Sequence, residues 1–220
     1  MRGLAYDVAH LLAGSMVLVS FMLLYQDRMR GLLNALALQA LLLALAIAWQ
    51  AWMQGAPHLF VSAAIALVFK AMVVPAALWR IVQRLGVARE IEPVVGIGLT
   101  MLAGLAVTAL AITVTLPVTA GADMLAREDI AFALAIVLLG LLLMITRRNA
   151  VTQIVGFTSL ENGLILAAAG AKGMPFVVEI SVAFSVLVAF IVFGVFLFRI
   201  RERFDTVDAT ALDRFRGDRG

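Results

Sequence analysis

The stretch AVTQIVGFTSLENGLILAAAGA, residues 150–171, decides the fold: it is long enough to cross a bilayer as a helix, yet it carries an acid, Glu161, in its middle. A helix rises ~1.5 Å per residue, so Glu161 lies roughly 20 Å from Arg147 and Arg148, near the centre of a ~30 Å hydrocarbon layer. An ionised side chain at that depth is costly and is usually functional. Glu161 is therefore the first candidate functional residue.

The whole chain has the composition of an integral membrane protein. Its 220 residues are 64% hydrophobic and 14% charged, with a mean hydropathy of +1.06, which is far more apolar than an ordinary soluble domain. Its apolar runs lack the alternation of barrel strands. The sequence therefore predicts an all-α polytopic fold with seven transmembrane helices, at about 8–25, 31–53, 59–79, 94–116, 130–146, 150–171 and 176–198.

The distribution of basic residues predicts the orientation in the membrane. Thirteen of the 17 Lys and Arg residues fall in the loops after helices 1, 3 and 5 or in the C-terminal tail, and three fall on the other side. By the positive-inside rule the N-terminus lies outside and the C-terminus lies in the cytoplasm. The net charge of +3 then reflects topology, so we expect the basic surface to face a lipid bilayer and not a nucleic acid.

A second charge is predicted near the membrane centre. Lys70 lies ten residues, or roughly 15 Å, from Arg80 at the inner face, which is too deep to reach the headgroups easily. Pro75, five residues later, predicts a kink. Lys70 either pairs with a carboxylate that joins two helices or couples its charge to proton movement. A pair with Glu161 is a hypothesis that rests on matched depth.

The acids allow the same two interpretations. Glu161 is either a neutral acid hydrogen-bonded within the bundle or a proton carrier within reach of polar neighbours, of which Thr158 lies one turn before it. Glu179 lies twenty residues, or ~30 Å, from Arg199, so it is either an interfacial acid or a proton entry or exit point. Ser185, on the same helix, is of a type that usually packs or hydrogen-bonds.

The sequence lacks the motifs of covalent catalysis. It has no cysteine, which excludes disulfides, thiolate metal sites and iron–sulfur ligation. No Walker loop, GxGxxG or Ser/His/Asp arrangement occurs. Gln39 in helix 2 is expected only to pack or hydrogen-bond. We therefore expect a non-catalytic chain with no cofactor of its own, and any redox metal would belong to another subunit.

The C-terminal third resembles a known family. The run LLGLLLMITRRNAVTQIVGFTSLENGLILAAA, followed by MPFVVEISVAFSVLVAFIVFGVFLFRI, contains the motifs RRN at 147–149, ENG at 161–163 and VEI at 178–180. In these motifs, and in Lys70 and Pro75 of helix 3, the chain resembles component E of hydrogenase-4. It is more distantly similar to the three-helix K subunit of bacterial complex I and the C subunit of multisubunit sodium/proton antiporters.

The resemblance implies a membrane-arm subunit of a group 4 nickel–iron hydrogenase complex, of the formate hydrogenlyase type, in the inner membrane of a prokaryote. Its partners would be large antiporter-like membrane subunits and soluble subunits that carry the nickel–iron centre and the iron–sulfur clusters. The chain would then comprise a four-helix part, an external loop, a K-subunit-like three-helix part and a cytoplasmic tail, at 1–117, 118–129, 130–200 and 201–220.

The resemblance also implies a proton or sodium pathway, with two departures. Alignment on RRN puts the first of the K subunit's two membrane glutamates at Thr158, so Glu161 can replace it only from the next helical turn. Relatives of the hydrogenase component tend to have an aspartate where this chain has Ser185, and a serine cannot carry a proton. The implied pathway residues are Glu161, Lys70, Glu179, Thr158 and Ser185, with Arg147 and Arg148 at the interface.

Three functions are open at this point. The first is an ion-pathway subunit of a hydrogenase-like complex, working through Glu161 and Lys70. The second is a structural or assembly subunit of the same complex, whose polar residues fix helix packing. The third is a small stand-alone ion transporter, for which the sequence offers no convincing internal repeat.

Overall fold

The computed structural model describes residues 2–85, 95–119 and 124–170, and the regular structure in these ranges is helical, as predicted. Six helices there are long and apolar enough to cross a membrane. The seventh predicted span, 176–198, lies outside the described residues. The helices are α1 (Arg2–Tyr25), α2 (Met29–Gln54), α3 (beginning at His58 and ending at Leu85), α4 (Ile97–Val118), α5 (Met124–Ile145) and α6 (Ala150–Gly170).

The second helix is among the most enclosed and α4 is the most peripheral. In their most apolar stretches, 56% of α2 is buried within the protein against 17% of α4. Helix α2 contacts α1, α3 and α6, whereas α4 packs on α1 and α5. Polar side chains of α2 therefore have protein on several sides, and such groups must find partners there because lipid offers none.

A tight turn joins α2 to α3. Gly55 ends α2 with a φ of 64°, a left-handed conformation that a residue with a Cβ rarely adopts. Its amide donates to carbonyl oxygens in the last turn of α2. Since α3 begins only three residues later, the two helices run antiparallel in contact along their length.

A π-helix interrupts α3. The helix consists of the α-helical segment His58–Ile65, the π-helical segment Ala66–Val73 and the α-helical segment Val74–Leu85. Pro75 has no N–H to donate, and its ring would clash with the Ala71 carbonyl in a regular α-helix. The wider turns relieve this conflict. The irregularity predicted at Pro75 therefore lies in the turns just before it, and these contain Lys70.

Helices α5 and α6 pack in backbone contact. A Cβ on Gly140 of α5 would lie 2.6 Å from the Leu160 amide nitrogen, and one on Gly163 of α6 would lie 2.8 Å from the Ala133 carbonyl oxygen. Only hydrogen fits at these distances, as in other membrane interfaces built from small residues. This close contact fixes the rotation of α6 and hence the direction in which its polar side chains point.

The predicted external loop 118–129 is shorter in the structure, because α5 already begins at Met124. The charged residues Glu128 and Asp129 therefore lie within a helix, in the turn after its first. Asp129 is stabilised by a hydrogen bond of 3.0 Å that Gln50 Nε2 donates to its Oδ2.

Candidate functional site

Lys70 and Glu161 form an ion pair inside the bundle. The Nζ atom of Lys70 lies 3.0 Å from Oε2 of Glu161, which joins α3 to α6. The lysine side chain is 3% exposed and the glutamate side chain is 14% exposed. The structure therefore brings together the two charges that the sequence related by depth alone.

The lysine has a second acceptor on α6. Its Nζ donates to Oδ1 of Asn162 at 3.0 Å, and Nδ2 of Asn162 donates to Oε1 of Gln39 at 3.1 Å. An ammonium group can only donate hydrogen bonds, so it requires the amide oxygen of Asn162 to face it. The NH₂ group of Asn162 is consequently directed at α2.

The chain of hydrogen bonds continues through Gln39 to α1. Gln39 Nε2 donates to Ser20 Oγ at 2.7 Å and to Ser159 Oγ at 2.9 Å. Ser20 Oγ in turn donates to the Met16 carbonyl oxygen at 2.9 Å. The connected side chains, which we call the polar core, are Ser20, Gln39, Lys70, Ser159, Glu161 and Asn162, and they link α1, α2, α3 and α6.

Two kinds of chemistry are combined in the polar core. The Glu161 carboxylate can take up and release a proton, and Lys70 supplies a positive charge beside it. The amides of Asn162 and Gln39 do not exchange protons in this way near neutral pH, so they cannot pass a proton along by successive protonation. Glu161 is also less buried than Lys70, so it is the more accessible of the two charged groups.

Of the other predicted pathway residues, only Thr158 is described, and its side chain bonds elsewhere. The Thr158 hydroxyl donates to the Ile154 carbonyl oxygen at 2.9 Å, a bond within its own helix. Glu179 and Ser185 lie outside the described residues. Of the two arginines predicted at the interface, Arg148 is exposed and Arg147 is buried with 3% exposure.

Arg147 clamps the end of α1. Its Nη2 donates to the Leu24 carbonyl at 2.7 Å and to the Gln26 carbonyl at 3.1 Å. Carbonyls at a helix C-terminus lack partners within the helix and favour a cation, so the burial of Arg147 has a structural cause. Burial lowers the pKa of the Arg147 guanidinium and the charge of Asp27 raises it, but a guanidinium in a protein stays protonated.

Asn149 completes the RRN motif as the cap of α6. Its Oδ1 accepts a hydrogen bond of 2.8 Å from the Val151 amide. Asparagine is a favoured residue at this position because it satisfies an amide that the helix leaves unpaired. In RRN, the first residue therefore holds the end of α1, the second faces out and the third starts α6.

A second polar cluster lies near the α2–α3 turn. Asp129 is 2% exposed and accepts from Gln50, while Gln54 Nε2 donates to Gln50 Oε1 at 3.3 Å and to the Ala169 carbonyl at 2.9 Å. This cluster ties α2 to α5 and α6. In the part of the chain that the structure describes, no three His, Cys, Asp or Glu side chains converge as a metal site would need.

The sequence reasoning did not assign Ser20, Gln39 or Ser159 to the site, although it named Asn162 as part of the ENG motif. Gln39 was expected only to pack or hydrogen-bond, and neither serine was singled out. One signal could have identified them: all six residues lie eight to fourteen positions from the nearest predicted inner-face arginine. Depth matching applied to uncharged polar residues, and not only to charges, would have predicted a common layer.

Comparison with known proteins gives one informative result. A protein of Mycobacterium tuberculosis (strain ATCC 25618 / H37Rv), described as uncharacterized protein Rv0085, is 34% identical over 209 residues, which cover 93% of this chain and 94% of the relative. No family model matches the chain. No solved structure matches it either. The similarity extends over nearly the full length of both proteins and is not confined to the C-terminal third.

Proposed function

The chain belongs to the family of the mycobacterial protein Rv0085, and we propose that it is a membrane subunit of a hydrogenase-4-like, complex I-related oxidoreductase that contributes to a proton or sodium pathway. One observation carries the proposal, the buried pair of Lys70 and Glu161. The motifs RRN, ENG and VEI supply the link to the oxidoreductase. The chain itself would be non-catalytic, with the nickel–iron centre and iron–sulfur clusters in partner subunits.

A charged pair is an unfavourable way to hold helices together. Removing two ions from water costs several kcal/mol each, and apolar residues of similar volume often give equal or better stability. Neutral hydrogen bonds of Gln39 and Asn162 connect α1, α2 and α6 without any charge, and α3 joins this polar core through Lys70. A carboxylate and an ammonium in the same place are better suited to a process in which charge changes, such as proton transfer.

The geometry suggests how such a transfer proceeds. In the resting pair the Lys70 ammonium stabilises the ionised Glu161 carboxylate across 3.0 Å. A proton that arrives on the carboxylate removes the negative charge, and Asn162 still accepts a hydrogen bond from the ammonium. Loss of the proton restores the pair. The direction of net movement is then set by the partner subunits and not by this chain.

A structural role in the same complex is the alternative that one observation favours. The polar core joins four helices through buried hydrogen bonds, which is what a subunit that only fixes packing also needs. A stand-alone transporter is the third candidate. Copurification separates the third from the others, and neutralisation of Glu161 separates the first from the second.

The first test is purification in mild detergent with mass spectrometry of the proteins that accompany the chain. We expect nickel–iron hydrogenase subunits, iron–sulfur subunits and antiporter-like membrane subunits. A chain that is stable and pure on its own would contradict the subunit proposal and favour the transporter.

The second test is Glu161→Gln, which keeps the shape and a hydrogen-bond acceptor but cannot titrate. We expect hydrogenase activity with a soluble dye to survive while ion translocation into vesicles is lost. Glu128→Gln is the matched control, because Glu128 pairs with His10 at 2.7 Å and is 39% exposed. Full translocation by the Glu161 variant would contradict the pathway role, and absence of the whole complex from the membrane would favour the structural one.

A further inference from the structure

We infer that Gln39 and Asn162 are positioning residues, which hold the Lys70 ammonium against Glu161 and so place the charge pair under the control of α2. The inference rests on the proposed function for its purpose, but its geometry belongs to this chain alone. Nothing in the RRN, ENG or VEI motifs points to Gln39, which lies in helix 2.

Donor and acceptor chemistry leaves the polar core one arrangement. The ammonium only donates, so Asn162 turns its oxygen to Lys70 and its NH₂ group to Gln39. Gln39 then accepts on Oε1 and has two N–H groups left, which go to Ser20 and Ser159. The orientation of both amides therefore follows from the positive charge on Lys70.

The lysine needs a fixed partner besides the acid. Its side chain is a flexible four-carbon stem with three rotatable donors, and it follows the acceptors available to it. Glu161 is a partner whose charge changes in the proposed mechanism, whereas Asn162 is one whose charge cannot. The two acceptors are adjacent on α6. Asn162 therefore keeps the ammonium within reach of Glu161 while the carboxyl is neutral.

Gln39 extends this control to α2. Both Gln39 and Asn162 are 0% exposed, and the Gln39 amide uses its oxygen and both N–H groups in hydrogen bonds, so the amide cannot rotate without breaking them. Helix α2 contacts α1, α3 and α6. A displacement of α2 against α6 would thus move Asn162 and alter the contact between Lys70 and Glu161.

Solid-state NMR on this chain, purified and placed in lipid vesicles, can measure this contact. The chain has two lysines, Lys70 and Lys172, so ¹⁵N-lysine gives two amine signals, and Lys172→Arg identifies that of Lys70. A ¹³C label in the side-chain carboxyl of glutamate then gives a dipolar coupling that reports the distance from Lys70 Nζ to the Glu161 carboxyl.

We expect Gln39→Leu and Asn162→Leu each to lose most of this coupling, although neither residue is Lys70 or Glu161. Ser62→Ala is the matched control and should retain it, because Ser62 is buried on α3 and its Oγ makes no hydrogen bond within the described residues. Full coupling in both leucine variants would show that Lys70 and Glu161 stay in contact without Gln39 or Asn162, and would overturn the inference.

Exchanging the side-chain lengths of Gln39 and Asn162 distinguishes a positioning role from a general disturbance of the structure. Gln39→Asn shortens the amide chain and should lose coupling, while the double variant with Asn162→Gln restores the total length and should regain it. If the leucine variants do not fold, this pair of variants decides: equal coupling in the single and the double variant overturns the inference. No hydrogenase partner is required, so a failed copurification would not affect the result.

Discussion

Two cations, Lys70 and Arg147, are each 3% exposed, yet they are held in opposite ways. Lys70 bonds to a carboxylate and a side-chain amide in the polar core. Arg147 bonds to backbone carbonyl oxygens at the end of α1. A proton can neutralise a carboxylate, whereas a backbone carbonyl carries no net charge and is not protonated near neutral pH. The contact of Arg147 can therefore only hold two segments together, whereas that of Lys70 can hold them and also respond to a proton.

The residue types agree with this division. A guanidinium stays protonated, and its planar group suits two fixed acceptors. A lysine is a point charge on a flexible stem, and its protonation responds more readily to its surroundings. The two sites thus show that equal burial of a positive charge does not mean equal function, and that the partner decides which function is possible.

The largest effect is expected from Lys70→Met. Removal of one partner from a buried pair leaves the other uncompensated, which typically costs about 3–5 kcal/mol, and the 14% exposure of Glu161 favours the lower end of that range. The free energy of unfolding, measured by SDS titration in mixed micelles, checks the loss.

The double variant Lys70→Met with Glu161→Gln sharpens this result. It removes both charges, so we expect it to recover most of the stability that Lys70→Met loses. A double variant as unstable as the single one would mean that the pair contributes through its packing and not its charge.

How far the sequence predicted this site depends on the residue type. Lys70 and Glu161 could be found because a charge in an apolar run is conspicuous and its depth follows from counting residues. Gln39 could not be assigned a role in the same way. Burying an uncharged amide in a membrane helix costs less free energy than burying a charge, so a glutamine there does not by itself indicate a function. Its importance depends on which face of α2 meets α6, and one sequence does not give the rotation of a helix about its axis.

Local backbone changes were also only partly predictable. Pro75 predicted a kink in α3, but the sequence did not predict the π-helix that contains Lys70, which extends over eight residues and contacts α2. Arg147 and Arg148 are consecutive residues of the same type, and both were predicted to be interfacial. They differ in the structure because only Arg147 is placed next to the free carbonyls of α1.

The second largest effect is expected from Arg147→Ala. Hydrogen bonds to charged groups are typically worth about 1.5–3 kcal/mol, and this change removes the contacts with Leu24 and Gln26. Unlike the loss at Lys70, no second substitution that removes an acid should restore it, because the partners are backbone atoms. SDS titration again measures the loss, and recovery on Asp27→Asn would contradict the contrast between the two sites.

An intermediate effect is expected from Gly163→Ala. The added methyl would lie 2.8 Å from the Ala133 carbonyl oxygen, so α5 and α6 must separate, at a cost of about 1–3 kcal/mol. Because Gly163 follows Asn162 directly, the polar core should be disturbed and the Arg147 clamp should not. The Lys70–Glu161 coupling measured by NMR should fall. Gly14→Ala is the control, since a Cβ there would lie 4.0 Å from Phe132 Cζ, an ordinary van der Waals contact.

The smallest effect is expected from Asn149→Ala. Asn149 lies at the start of α6, close in sequence to Arg147 and far from the polar core. The substitution removes the cap that Oδ1 provides to the Val151 amide, and loss of such a cap costs about 1 kcal/mol. Asn149→Asp keeps a capping oxygen and should stay close to the wild type. Asn149 lies roughly 20 Å along α6 from Asn162, so the coupling between Lys70 and Glu161 should not change. A fall in that coupling would mean that the two ends of α6 communicate, and the separation between a site that holds and a site that responds would no longer stand.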